Sequence, residues 1–177
     1  MILIIGLGNP GSKYQNNRHN VGHMFVDYVL ENQKSKIKKQ NYNSKFKITK
    51  TDCFMNVSGI FVKKLVSHYS LVPNPYSLII VHDDLDIPLG KFHIQFASGP
   101  QLHNGLESVE QHLKSKDFWR IRIGVDNRPI DRRIPGETYT LQNFLPDEKK
   151  LLKTEIFPKI FEQLKIDVKK ISGIELL

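Results

Sequence analysis

The chain has 177 residues, 40% hydrophobic and 25% charged, as expected of one soluble globular domain rather than a fibrous or disordered chain. No apolar run approaches the roughly 20 residues that span a bilayer, and the single cysteine, Cys53, excludes an internal disulfide. A formal net charge of +8 and a pI near 9.5 favour a polyanionic partner, with a lysine coat for solubility as the competing reading.

The opening lacks a basic segment followed by a cleavable apolar stretch, so a cytoplasmic protein is expected. ILII (2–5) predicts a buried strand. Gly6, Gly8 and Gly11 follow in the G-x-G-x-x-G spacing that opens many dinucleotide-binding enzymes. That fingerprint requires a helix starting within the glycines, with its N-terminus on the pyrophosphate. Here Pro10 and Gly11 lead instead into the polar stretch SKYQNNR, and Asp27, at the spacing of a ribose-binding acid, falls inside a helix. The glycines are therefore expected to shape a rigid turn that presents Asn9.

Val21, Met24, Phe25, Tyr28 and Val29 recur at helical spacing. Lys34, Lys36, Lys38, Lys39, Lys45, Lys47 and Lys50 crowd the next stretch, which ends in a short strand, FKITK. Val57, Ile60, Phe61 and Leu65 mark a second helix, and SLIIV (77–81) a fully apolar strand. Phe92, Ile94 and Phe96 alternate, as do Ile121, Ile123 and Val125, so two half-buried strands flank a helix carrying Leu106, Val109 and Leu113. The polar, Arg-containing stretch after the last strand predicts a lid over 126–146. A C-terminal helix is expected over 147–165, with Pro158 as a kink point and a second group of lysines from Lys149 to Lys170. Strands alternating with helices predict a single α/β domain over 1–177, with its site at strand ends.

GLGNPG-x-x-Y-x-x-x-RHN-x-G closely resembles the opening signature of bacterial peptidyl-tRNA hydrolases. FMNVSG (54–59), HDDLDIPLG (82–90), HNGLESV (103–109) and FWRIRIGV (118–125) are similar to that family's later blocks, in order. The resemblance implies a mixed central β-sheet flanked by helices on both faces. It also implies hydrolysis of the ester joining a peptide to the 3′ end of tRNA, without metal or cofactor. The partner it implies is peptidyl-tRNA, held by its acceptor end; no membrane is involved, and a monomer is expected.

Ester hydrolysis by water needs a base near neutral pKa, a group that orients it and donors for the developing oxyanion. By resemblance His19 is the base and Asp83 the carboxylate that fixes its imidazole, a role familiar from catalytic triads. Asp83 shares HDDLD with Asp84 and Asp86; a metal site there is disfavoured, because alternation sends His82 and Asp83 to opposite faces of a strand. The resemblance gives Asn9 and Asn56 the peptide backbone and the attacking water, and gives Asn104 the water or the tRNA end. Tyr14 and Phe54 match positions against the 3′ end, where an aromatic ring stacks on a base. Arg122 lies on an alternating strand from which it could reach a phosphate. Without the motifs, His19 and Asn56 would be taken as helix caps and Tyr14 as core.

Two departures from the family pattern stand out. ASGPQLHNG replaces a glycine-rich loop, and His93 and Gln95 stand where two basic residues usually hold phosphate, with Lys91 and His103 as partial compensation. They leave a second reading open, a catalytically idle RNA-binding relative on the same scaffold.

Overall fold

The computed structural model describes residues 1–32, 46–70, 77–129 and 134–173, so Lys34, Lys36, Lys38, Lys39 and Lys45 lie outside the described residues. Its strands are β1 (Ile2–Gly6), β2 (Phe46–Lys50), β3 (Leu78–Pro88), β4 (Phe92–Phe96) and β5 (Trp119–Asp126). They form one sheet in the order β2-β1-β3-β5-β4, parallel except for β4, which pairs antiparallel with β5 at the edge. The expected mixed α/β sheet is what the chain forms.

Side-chain alternation explains the apolar run in β1. Ile2 and Ile4 enter one core while Leu3 and Ile5 enter the other, so both faces must be hydrophobic. On the first face lie α1 (Val21–Asn32), through Val21, Phe25 and Val29, and the C-terminal helices, through Leu152, Ile156, Phe157 and Ile160. On the second lie α2 (Ser58–His68), through Val62, and α3 (Asn104–Leu113), through Leu106 and Val109.

From β1 the chain moves outward to β2, then crosses back past β1 to β3. A crevice therefore opens at the carboxyl ends of β1 and β3, where open α/β sheets place their sites. Pairing of β1 with β3 ends at Gly6 and Val81, so Asp83, two residues on, has no β1 neighbour. The start of α1 is drawn onto this crevice by backbone contact. A Cβ on Gly6 would lie 2.3 Å from the Gly22 carbonyl oxygen, and one on Gly22 would lie 2.4 Å from that of Val81.

Three boundaries differ from expectation. β3 does not stop at Val81 but carries HDDLDIP, because β5 stays paired with it to Asp84 and again at Pro88 across a register shift. The C-terminal helix runs past 165: α4 (Gly136–Thr140) and α5 (Pro146–Leu151) are followed by a π turn (Leu152–Ile156) that leads into α6 (Phe157–Ser172). Pro158 has no N–H for the Thr154 carbonyl, which accounts for the wider turn just before it. Thirdly, part of the stretch expected as a lid is tied down. Asn17 and Asn143 form an isolated β-bridge, with Arg18 N–H donating to Gln142 O at 3.0 Å and Phe144 N–H to Asn16 O at 2.9 Å. Among the described residues no helix is long and apolar enough to cross a membrane.

Candidate active site

RHN (18–20) forms a single 3-10 turn ahead of α1, and its three side chains reach in three directions. Arg18 reaches the C-terminal helices, where it pairs with Glu148 at 2.7 Å. His19 reaches Asp83. Asn20 locks the glycine turn: its Oδ1 accepts from Asn9 N–H and its Nδ2 donates to Asn9 O, each at 2.9 Å. The glycines thus hold Asn9, and α1 begins ten residues beyond Gly11, far from any dinucleotide fingerprint. Asp27, in α1, pairs with Lys50 at 2.8 Å.

His19 Nδ1 lies 2.8 and 3.0 Å from the two Asp83 oxygens. An ionised carboxylate only accepts, so Nδ1 carries the proton and Nε2 keeps its lone pair. His103, offered by the sequence only as a compensating side chain, joins the same carboxylate. Its Nδ1 caps α3 by accepting from Gly105 and Leu106 N–H at 3.1 and 3.2 Å, so its proton sits on Nε2, which donates to Asp83 Oδ1 at 3.0 Å. Burial would push the Asp83 carboxyl up, but electrostatic attraction and hydrogen bonds from the His19 and His103 rings win and hold it well below the usual carboxylate range. For His19, burial favours the neutral ring; the Asp83 charge and hydrogen bond outweigh it and raise the imidazole above its ordinary 6.5.

His19, Asp83 and His103 also bring three potential metal-ligand atoms within 4.8 Å of one another. A metal on His103 Nε2 would require the proton on Nδ1, at the expense of both cap bonds. The donor set therefore fits a hydrogen-bonded relay better than a metal centre. His82 follows the alternation: it is fully buried, on the opposite parity to Asp83, and its Nδ1 donates to Asp83 O at 2.7 Å.

The other predicted residues lie on neighbouring segments, except Arg122, which is in register with His82 and shares its face of the sheet, opposite Asp83. Asn9 Oδ1 accepts from Met55 N–H at 2.8 Å, which fixes the amide so that Nδ2 remains as a donor. Met55 in turn packs against Gly105, whose added Cβ would lie 2.4 Å from its sulfur, so the Asn9, Asn56 and Asn104 segments adjoin. Asn56 is exposed on a 3-10 turn rather than capping α2, and Asn104 is exposed as the first residue of α3. Tyr14 and Phe54 meet edge to face with centroids 6.3 Å apart, Phe54 being 54% exposed. Arg122 is less free than expected. Its Nε donates to Asp84 and its Nη1 to Gln95, both at 2.7 Å, which leaves Nη2 for a phosphate. Beside His103 a cavity of about 230 Å³ opens, lined by Gly99, Gln101, Glu107 and Arg120.

The glycine turn has a further support in His23. Its Nε2 lies 3.0 Å from Thr51 Oγ1, which also accepts from Gly8 N–H at 3.2 Å and donates to Gly8 O at 3.1 Å. Burial and Lys50 push His23 down to about 4, against the opposing effect of Asp27. The unfolded chain therefore binds this proton first, and the stability His23 contributes above pH 6.5 is lost as pH falls to about 4. The loss is on the order of 3 kcal/mol. Urea unfolding at pH 7 and pH 4.5 should show a smaller drop for His23→Gln than for the parent; equal drops would contradict this assignment.

The family profile described as peptidyl-tRNA hydrolase matches residues 3–173. A Thermodesulfovibrio yellowstonii protein named peptidyl-tRNA hydrolase is 38% identical over 165 residues, covering 88% of this chain and 87% of its own. One of the same name from Mycobacterium marinum is 39% identical over 159 residues, covering 84% and 81%. The crystal structure of peptidyl-tRNA hydrolase from Acinetobacter baumannii superposes with a TM-score of 0.74 at 25% identity, over 99% of this chain and 96% of that one. With one family running from β1 to α6, this chain belongs to the peptidyl-tRNA hydrolases.

Proposed function

We propose that the protein hydrolyses the ester between a peptide and the 3′ oxygen of its tRNA, freeing tRNA for reuse, with His19 as general base. The observation that carries this reading is an imidazole whose Nδ1 is fixed by a buried, ionised Asp83, which leaves the lone pair on Nε2. His19 Nε2 takes a proton from water as the water oxygen bonds to the ester carbonyl carbon. The electron pair moves onto the carbonyl oxygen, where Asn9 Nδ2–H is a donor already held in place. Collapse breaks the bond to the ribose 3′ oxygen, and the imidazolium returns the proton to that oxygen. Asp83 stays ionised throughout and stabilises the imidazolium. His103, donating to Asp83 Oδ1 through a tautomer set by its cap, keeps the carboxylate turned toward His19.

Asn56 and Asn104 are the exposed amides for the peptide backbone and the water. Tyr14 and Phe54 form the aromatic corner for the terminal base, and Arg122 offers Nη2 to a phosphate. An amide contact at the first residue favours a blocked amino group over a solvated ammonium. On this reading the lid over 126–146 closes beside His19, held where Asn143 bridges Asn17. We read the enzyme as a cytoplasmic monomer, as the family resemblance implies.

Release of N-acetyl-amino acid from N-acetyl-aminoacyl-tRNA, with free aminoacyl-tRNA alongside, tests this reading. Cleavage of the blocked ester alone is expected. A folded protein that binds tRNA but cleaves neither ester would instead be the idle RNA-binding relative; the intact His19–Asp83 pair argues against that. Lysines exposed from α5 through the π turn to α6, among them Lys150, Lys153 and Lys159, suit phosphate tracking. Between roughly 50 and 200 mM salt, kcat/KM should therefore fall about tenfold or more. A flat response would remove the electrostatic part of the account.

A further inference from the structure

Arg18 and Glu148 are 130 residues apart in sequence, yet both side chains are about nineteen-twentieths buried and their Nη2–Oε2 distance is 2.7 Å. The same guanidinium donates through Nη1 to Asn143 O at 2.8 Å and lies 4.1 Å from the Tyr139 ring centroid. Glu148 gathers donors from two more segments: Leu145 N–H at 2.8 Å, and Asn127 Nδ2, just past β5, at 3.0 Å. One carboxylate thus ties together the end of β5, the entry to α5 and the residue preceding His19.

We propose that the Arg18–Glu148 pair is a positioning element for the base: it sets the backbone of the RHN turn so that His19 Nε2 meets the attacking water in line. This inference rests on the reading of His19 as general base. Two physical points favour it over simple structural support. A buried ion pair contributes little stability compared with well-packed apolar side chains of similar size, so its presence calls for a geometric reason. The turn is also gripped at both ends, by Arg18 toward the C-terminal helices and by Asn20 toward Asn9, with His19 alone between them. Releasing one end lets the imidazole pivot while it keeps its bond to Asp83, and a misplacement near 1 Å costs about a hundredfold in rate. Arg18 and Glu148 are buried and are not among the residues assigned to tRNA or peptide, so KM is expected to move less than kcat.

The test is the double variant Arg18→Met with Glu148→Gln. It removes both charges together, approximates both volumes and leaves an acceptor for Leu145 N–H. With N-acetyl-aminoacyl-tRNA as substrate, kcat is expected to fall about 10- to 100-fold. KM should stay within about twofold, the scale of a minor contact, and the thermal midpoint near that of the parent. Parental kcat in a folded double variant would overturn the proposal, and so would a raised KM at unchanged kcat. If the double variant does not fold, Arg18→Lys decides. It keeps the charge but loses the two-pronged grip, so kcat should drop several-fold at constant KM, and unchanged kcat would overturn the inference. His19→Ala run in parallel separates the two levels. If that variant keeps parental activity the reading of His19 fails; if it loses activity while the Arg18 variants do not, only the clamp fails.

Discussion

His19→Ala should lower kcat for N-acetyl-aminoacyl-tRNA by about a thousandfold, with KM nearly unchanged. Among the described residues of the crevice, the His19 ring has a nitrogen lone pair directed away from Asp83 and a pKa that Asp83 raises above the ordinary imidazole value. Asp83 is acceptor-only and buried. The asparagine amides do not titrate, and the Cys53 thiol is pushed up by burial and by Asp52. Without the imidazole, water must lose its proton to solvent in the attack, which removes a general-base contribution on the order of 10² to 10⁴. KM is spared because the contacts proposed for binding, through Asn56, Asn104, Tyr14 and Phe54, do not pass through His19. Steady-state kinetics at saturating substrate would check this. A variant within tenfold of the parent would mean another base is at work.

Asp83→Asn should be nearly as severe, also about a thousandfold in kcat, for a different reason. An asparagine Oδ1 can still accept from His19 Nδ1–H, but no negative charge remains to stabilise the imidazolium that forms as water is deprotonated. The amide also has to accept from His103 Nε2–H with that same oxygen. If it flips to relieve the crowding, its NH2 faces His19 Nδ1 and drives the proton to Nε2, the atom that must accept. The sign of the pH effect follows. Asp83 raises His19, so its removal lets burial lower the imidazole pKa, and the acidic limb of the kcat/KM profile should move to lower pH. A profile that falls in height without moving would show that Asp83 orients the ring and contributes little charge.

Much of the site is legible in the sequence because its residues sit in short blocks whose local chemistry is distinctive. Polar residues after Gly11 rule out a dinucleotide helix, and the alternation HD at the end of an apolar strand separates Asp83 from His82. What the sequence hides depends on partners distant along the chain. His103 precedes Asn104, a favoured cap residue, so a cap by imidazole Nδ1 has no local signal, and its bond to Asp83 is a product of packing α3 beside β3. Arg18 and Glu148 carry no local mark of their pairing across 130 residues. Strand alternation says where the Arg122 side chain points but not that Asp84 and Gln95 wait there. The boundary differences have a similar origin. Apolar periodicity ends at Val81, whereas β3 continues because β5 pairs with it. At the C-terminus the sequence does hold the signal: Leu164 and Val168, four apart and both buried, extend the helical stripe beyond 165.

Single-turnover hydrolysis of N-acetyl-aminoacyl-tRNA from pH 5 to pH 9, by the parent and by His19→Ala, separates attack assisted by His19 from attack by hydroxide alone. One ionisation, above the ordinary imidazole value of 6.5, should govern the acidic limb of the parent and vanish in the variant. The variant's residual rate should then rise only with hydroxide. The same acidic limb in both proteins would contradict the assignment of His19 as the base.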